Sequence, residues 1–353
     1  MSGTSEQVSV LIVGAGAAGL AAAIDLADRG LAPVVVERRA GPATHPRATA
    51  LTAGTMAQMA RWGIEAEVRR LGFASRHAMS IRQSLTGPEI HCVPFDDHVW
   101  TCAQDHLEAA LARRARAAGA EIRYGATLAS LYPAAGGMLA TVTGPDGHQP
   151  AIEAQYVIGA DGARSTVRQY CGITSGRASD FGHWLSILFH APLREHISGA
   201  PFMVYRIENP AAGGGVLVPT DATTRWIHGL AWSPEQGERA EDYTSDRCAE
   251  LIRAAAGIPG LPVEIIDVRT FHMTAALADA YRADRAILVG DAAHAFPPTS
   301  GMGLNLALHD ATVAARILAS TIVDGDEPSA LDEYEQACRP LAEQLLAPDL
   351  AAT

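Results

Sequence analysis

The sequence contains no lysine. Of its 353 residues 27 are basic, all of them arginine, against 39 Asp and Glu, for a formal net charge of -12. That absence excludes whole reaction classes. Schiff-base and pyridoxal-phosphate chemistry needs a lysine amine. A Walker-A site needs its lysine on the phosphates, and a Ser-x-x-Lys hydrolase needs one beside the nucleophile. The acidic balance also argues against nucleic acid, which asks for a basic stripe to displace counterions. Cysteine is sparse: Cys92, Cys102, Cys171, Cys248 and Cys338 are odd in number and form no Cys-x-x-Cys pair. They read as reduced thiols of a cytoplasmic protein, with neither a disulfide frame nor a metal site.

A membrane-length hydrophobic run is not read either. Residues 8–24 carry no charge, but glycines at 14, 16 and 19 interrupt them, and Asp25, Asp28 and Arg29 follow. Such a segment is too short for ~30 Å of hydrocarbon and has the wrong flanks for a signal. No membrane or targeting segment is expected. At ~150 residues per domain the length suggests about two domains. A hydrophobic content of 48% with 19% charged residues suits a globular chain.

What is present is organised. Residues 8–13 (VSVLIV) read as a buried parallel strand, 17–29 as an alanine-rich helix stopped at Gly30, and 33–37 (PVVVE) as a second strand. This is a βαβ unit. Helices are expected over 55–71 and 104–118, and strands over 156–159 and 285–290. From about 180 to 270, branched and aromatic runs alternate with turns, which predicts an antiparallel sheet. Residues 304–346 read as two helices with a break at 324–328.

Gly14-Ala15-Gly16-Ala17-Ala18-Gly19 sits between the first strand and the first helix. Gly14 permits the tight turn, Gly16 lets a pyrophosphate approach the backbone, and Gly19 lets the helix pack on the strand. The helix N-terminus, with Ala17 and Ala18, supplies amide donors to the anion. Glu37, at the end of the second strand, is placed to accept from a ribose diol. The motif alone does not separate NAD from FAD.

Two more segments make that choice: GADGARSTVR at 159–168 and GDAAHAFPPTSGMGLN at 290–305. With them the sequence strongly resembles the class A flavoprotein monooxygenases, the para-hydroxybenzoate hydroxylase fold, over nearly the whole chain. The resemblance implies an α/β protein: a Rossmann-like FAD-binding domain of the GR2 type, an inserted mixed or antiparallel β-sheet substrate domain, and C-terminal helices. Segments 1–75, 101–180 and 272–325 are expected to form the FAD domain. Segments 76–100 and 181–271 are expected to form the substrate sheet, and 326–353 a C-terminal helix.

The implied cofactor is FAD, with NAD(P)H as a transient reductant. Asp161 and Asp291 match the family's two later motifs, and Asp291 suits a ribitol hydroxyl. Pro298, Gly301, Gly303 and Leu304 belong to a loop and helix start whose amides stabilise charge on reduced flavin. Asn305 is expected at the flavin ring, and Leu128 among the cofactor contacts. Arg47, in HPRATAL at 45–51, matches an arginine that reaches FAD, and Gln104 matches a polar residue at a helix start. Arg38 lies either along the adenine or on the surface. His294 reads as a packed histidine in preference to a catalytic base.

The substrate pocket is expected between the flavin and the inserted sheet. Period 2 puts Trp226, His228, Leu230 and Trp232 on one face, which either roofs an aromatic substrate or packs against a helix. Met203 and Tyr205 share a face with the same two readings. Phe296 and Pro297, beside the flavin loop, are better placed for substrate, and with Arg47 they are the catalytic candidates; no general base is named. The implied reaction is hydroxylation or epoxidation of a polyketide-like or polycyclic aromatic molecule by a flavin C4a-hydroperoxide formed with O2. The alternatives are an FAD-binding cyclase performing a redox-neutral ring closure, and a non-enzymatic FAD-binding partner protein. Flavin halogenation is set aside, because it depends on a lysine and a Trp-x-Trp-x-Ile-Pro segment. A monomer or homodimer is expected.

Overall fold

The computed structural model describes residues 5–95, 99–298, 301–325 and 331–350. The chain forms two compact units. The first comprises Met1–Thr44, Gln104–Ser179 and Thr274–Thr353, and the second His45–Ala103 and Asp180–Met273.

The first unit is built on a parallel sheet. Strand Glu6–Val13 pairs in parallel with Val34–Glu37 on one side and Ala151–Gly159 on the other. Glu121–Tyr124 and Ala286–Leu288 extend it in parallel at the two sides. Val10, Leu11, Ile12, Val34, Val35 and Val36 are all buried, as strands in a sheet covered on both faces must be. Helix Ala17–Asp28 packs against helices Gln104–Ala118 and Gly303–Ala319, and its alanines let the backbones approach closely. The apolar stretch Gly303–Asp324 is long enough to cross a membrane, with a mean hydropathy of 1.4 in its most apolar window, but 61% of that window is buried inside the protein.

From Glu6–Val13 the chain builds first to one side of the sheet, through Val34–Glu37, and only later returns to the other side as Ala151–Gly159. The C-terminal end of Glu6–Val13 is therefore a topological switch point, where doubly wound sheets open a ligand crevice. The Gly14–Gly19 loop stands there. At the other end of the chain, the Tyr334 hydroxyl donates to the Leu288 carbonyl at 2.7 Å, and Arg339 donates to the Ala278 and Asp279 carbonyls. Helix Asp332–Leu350 is thus an integral part of this unit. Before it, the chain leaves Ser320–Asp324 at Gly325 (φ 76°); residues 326–328 of the expected break lie outside the described residues.

In the second unit, strands Ser175–His190, Arg225–Ala231, Val216–Pro219 and Phe202–Ile207 pair antiparallel in that order. Phe202–Ile207 then pairs in parallel with Arg76–Arg82, which pairs antiparallel with Glu89–Pro94. Helix Ser245–Ala256 lies on one face. Its Cys248, Ile252, Ala255 and Ala256 share a core with Leu185, Ile187, Phe189, Tyr205, Leu217, Trp226 and Leu230 of the sheet.

Segment 45–75, expected in the FAD domain, joins this second unit instead. Residues 101 and 102 go with it, since the Cys102 amide donates to the Thr49 carbonyl at 2.8 Å and the Phe73 amide to the Thr101 carbonyl at 2.9 Å. His45 Nε2, 2.7 Å from Ser186 Oγ, ties the segment to the sheet. The single helix expected over 55–71 is two helices, Ala53–Arg61 and Glu65–Leu71. Gly63, in the left-handed region at φ 74°, ends the first of them.

Candidate functional site

The three glycines of the first loop do different work. Gly14 has φ 106°, and a Cβ built on it would lie 2.3 Å from the Ala160 carbonyl oxygen. A Cβ on Gly19 would lie 1.9 Å from the Gly14 carbonyl oxygen. Both serve the close approach of helix, turn and neighbouring strand. Gly16 is in ordinary extended backbone (φ -79°, ψ -177°), and the nearest atom to a built Cβ is Glu108 Oε1 at 3.8 Å. Neither backbone strain nor a protein contact requires a glycine there. Its bareness keeps space open in front of the helix. As N-cap of Ala17–Asp28 it supplies no side-chain acceptor, and no acidic residue occupies the first turn. The amides of Ala17, Ala18 and Gly19 are thus left for an anion.

Glu37 is buried and heavily bonded. The Ala15 amide donates to Oε2 at 2.8 Å, the Arg39 amide to Oε1 at 2.9 Å, and the Arg39 guanidinium to both oxygens. Burial alone would raise its pKa, but the Arg39 and Ala15 bonds outweigh it and hold the carboxyl below its usual range. Arg39 also lies 3.6 Å from Glu108, whose other oxygen accepts from Gln104 Nε2 at 2.8 Å. Gln104, Glu108, Arg39 and Glu37 thus form one polar chain beside Gly16. Arg38 is exposed. The arginine that meets the site is its neighbour Arg39, which the sequence reading passed over together with Glu108. Their signals were the i, i+2 spacing from Glu37 and the i, i+4 spacing from Gln104.

Asp161 shapes its own loop. Its carboxylate accepts from the Ser165 hydroxyl and from the amides of Thr166 (2.6 Å) and Val167 (3.1 Å), at the start of helix Thr166–Tyr170. Arg168, on that helix, donates to the Ala163 and Ala292 carbonyls, each at 2.7 Å. It therefore ties the Asp-Gly segment to the Gly-Asp segment, and nothing in the sequence pattern singled it out.

Asp291 is half-buried in the turn Gly290–Ala292. Behind it His294 Nε2 bonds Asp310 Oδ2, which also accepts from the Gly290 amide at 3.2 Å. Burial disfavours the imidazolium, but the Asp310 carboxylate outweighs it and raises the His294 pKa. His294 is 1% exposed and holds the loop to helix Gly303–Ala319; it is a packed histidine, as expected. Phe296, half-buried, stands edge-on to its ring at 5.4 Å, and Pro297 is buried. Pro298 is exposed, and its carbonyl accepts from the Gly301 amide at 3.2 Å. Asn305 Nδ2 donates to the Gly301 carbonyl at 3.3 Å. Thr299 and Ser300 of this loop lie outside the described residues. Helix Gly303–Ala319 starts at Met302 without a side-chain cap, so its start, at Gly303 and Leu304, is a second place where helix amides suit negative charge. Leu128 is buried in strand Thr127–Ala134.

In the second unit Arg47 is exposed. The substrate-roof expectation is corrected there. Trp226 and His228 are completely buried, and Tyr205 and Met203 are 1% and 6% exposed. Trp226 and Tyr205 face helix Ser245–Ala256, which covers that side of the sheet. His228 Nε2 meets the Gly214 carbonyl at 3.1 Å, and burial pushes its pKa down to about 4. A substrate cannot touch this face without unpacking the core.

The donors of the first unit fit a dinucleotide with a flavin. One helix start is bare for the pyrophosphate, a buried carboxylate meets that loop, and a second helix start can neutralise an anionic ring edge. Comparison with known proteins agrees. Residues 7–348 match the FAD binding domain family. A putative polyketide hydroxylase of Streptomyces halstedii is 33% identical over 96% of this chain and 64% of its own length. The aklavinone 12-hydroxylase of Streptomyces peucetius is 34% identical over 95% of this chain and 72% of its own. The crystal structure of a ternary complex of aklavinone-11 hydroxylase with FAD and aklavinone superposes with a TM-score of 0.86. It is 32% identical, over 98% of this chain and 69% of that one. The chain thus spans under two thirds of the length of the first of these relatives. It belongs to the FAD binding domain family, and FAD is its cofactor.

Proposed function

We propose that the protein is an FAD-dependent monooxygenase that uses NAD(P)H and O2 to hydroxylate a polyketide-like, polycyclic aromatic molecule. The observation that carries this reading is the pair of uncapped helix starts in the first unit, joined to relatives named as polyketide and aklavinone hydroxylases. Bound FAD supplies the redox chemistry, taking electrons from the nicotinamide and activating dioxygen. The chain supplies positioning. Amides of Ala17, Ala18 and Gly19 hold the pyrophosphate, and Glu37, oriented by Arg39, accepts from the ribose diol. Amides of Gly303 and Leu304 stabilise negative charge at the reduced ring edge, with Asn305 beside them. Asp291 accepts from the ribitol chain. The glycine fingerprint at 14–19 is assigned to FAD, and NAD(P)H is a transient visitor. A cytoplasmic setting fits the five cysteines, none of them in a disulfide.

The test is NAD(P)H oxidation and O2 uptake by the FAD-loaded protein with a polycyclic phenol, together with the mass of the product. Stimulated consumption of both, with one oxygen atom gained in the product, is expected. Turnover of the phenol without either consumption would replace this reading with a redox-neutral cyclase.

A further inference from the structure

Three residues far apart in sequence meet in the second unit. His45 Nδ1 lies 3.0 Å from Asp267 Oδ2, and His45 Nε2 lies 2.7 Å from Ser186 Oγ. His45 is 5% exposed, and Asp267 keeps about a third of its side chain in solvent. Burial opposes ionisation of Asp267, but the bonds from His45 and Arg269 outweigh it and hold the carboxyl below its usual range. Burial likewise lowers the His45 pKa, with Asp267 opposing and the charges of Arg269 and Arg225 assisting. The groups facing His45 are thus Asp267 and Arg269 from strand Glu264–Ala278, Arg225 from strand Arg225–Ala231, and Ser186. An ionised Asp267 fixes the proton on Nδ1, so a neutral imidazole accepts at Nε2 and the Ser186 hydroxyl must donate to it. The Ser186 oxygen is left as an acceptor for any further partner.

Ser186 stands on the sheet face opposite the core. Leu185, Ile187 and Phe189 point into that core, and alternation turns Ser186 away from it. Directly across from Ser186 in the register is Gly229. Gly229 lies in ordinary strand backbone, and a Cβ there would approach Val216 Cγ2 to 3.2 Å. Backbone conformation does not call for a glycine here; the missing side chain leaves a flat floor beside the hydroxyl. On this face Val216, Val218, Ile227 and Ser186 itself are half-buried while Leu188 and Gly229 are buried, so the face is apolar and partly accessible to a planar ring.

We propose that Ser186 binds a phenolic hydroxyl of the substrate and, through His45 and Asp267, takes its proton. This rests on the monooxygenase reading and deepens it. The step balances: the phenol O–H bond breaks to Ser186 Oγ as the Ser186 proton passes to His45 Nε2. The products are a phenolate and an imidazolium paired with Asp267. No electrons change hands, and the ring becomes more nucleophilic toward an electrophilic oxygen. Ser186 is the catalytic residue of the relay, and His45 and Asp267 position and charge it. A covalent serine role is not favoured, because Ser186 lies mid-strand, with its backbone inside the sheet ladder.

The experiment uses the FAD-loaded chain and 1,8-dihydroxyanthraquinone, whose phenolate absorbs to the red of the phenol. Its ionisation midpoint is read by pH titration of the bound and the free dye. The wild type is expected to lower the midpoint by about one pH unit, a tenfold change in ionisation constant. Ser186→Ala and His45→Gln return it to the free value, while Ser186→Thr, which keeps the hydroxyl, retains the lowered midpoint. An unchanged midpoint in Ser186→Ala, absence of dye binding by the wild type, or labelling of Ser186 by a fluorophosphonate overturns the proposal. Dye-stimulated NAD(P)H oxidation with O2 uptake, measured in parallel, separates the two failures. If consumption persists while the midpoint stays at the free value, the relay falls and the monooxygenase reading stands. If consumption is absent, that reading falls as well.

Discussion

Glu37 and Arg39, two residues apart at the end of a strand, grip each other at two points: Nε meets Oε1 at 3.0 Å and Nη2 meets Oε2 at 3.2 Å. The carboxylate is thereby fixed against the amide of Ala15, inside the glycine loop. Its pKa lies below the ordinary 4.5, so the stabilisation is fully present above that value and is lost as pH falls through the lowered one. Glu37→Gln is expected to flatten the acid limb of urea-unfolding stability below pH 4.5. Linkage sets the size of that limb at about 1.4 kcal/mol for each tenfold change in ionisation constant, before solvent screening. FAD affinity, read by fluorescence quenching, should fall about tenfold, the loss of one charge-assisted bond.

The glycines separate folding from binding. Gly14→Ala and Gly19→Ala drive a Cβ into backbone oxygen and should leave little folded protein. Gly16→Ala meets no such atom, so its cost to the apoprotein, read by circular dichroism melts, should stay at about 1 kcal/mol or less, an N-cap effect. FAD affinity should nevertheless drop at least about tenfold, or 1.4 kcal/mol, because the methyl occupies the pyrophosphate's approach. Equal losses of stability and affinity would contradict this division.

His228 gives the second unit an acid sensitivity of its own. Its pKa falls from 6.5 to about 4 on burial. A depressed pKa means stability that is whole above pH 6.5 and declines as pH falls toward 4, by up to about 3 kcal/mol. His228→Leu should remove that slope between pH 6.5 and pH 4, measured by urea titration at each pH. FAD affinity should not change.

Arg168 bonds carbonyls from two motifs. Arg168→Ala should weaken FAD binding by about 2 kcal/mol, near thirtyfold, with the chain still folded. Arg168→Lys should recover only part of the loss, because one ammonium cannot span both carbonyls as the planar guanidinium does.

What the sequence disclosed follows the range of the interactions. The glycine loop, the Asp-Gly and Gly-Asp segments and their flanking strands are local, and their backbone demands are written in consecutive residues. Helix Gln104–Ala118 appears with the bounds expected of it. Which face of the second sheet stays uncovered was not legible. Period 2 correctly put Trp226 and His228 on one side, but Val216, Val218 and Ile227 on the other side are equally apolar. Which face a helix covers depends on Ser245–Ala256, a tertiary choice with no signature in the strand. Arg39 was missed by a single position at a strand end. The meeting of His45, Ser186 and Asp267 closes gaps of 141 and 222 residues, and no spacing rule reaches across those.

Gly290 is wedged between two helices: a Cβ there would lie 2.9 Å from that of Ala307 and 3.3 Å from that of Ala18. Ala18 belongs to the first turn of helix Ala17–Asp28, and Ala307 to the second turn of helix Gly303–Ala319. The two helix starts are therefore locked at a set spacing, and the first unit acts as a ruler. On the proposed reading, the phosphate at one helix start and the ring edge at the other would sit one ribitol chain apart. A buried glycine between the helices thus sets the register in which the two ends of that chain are held.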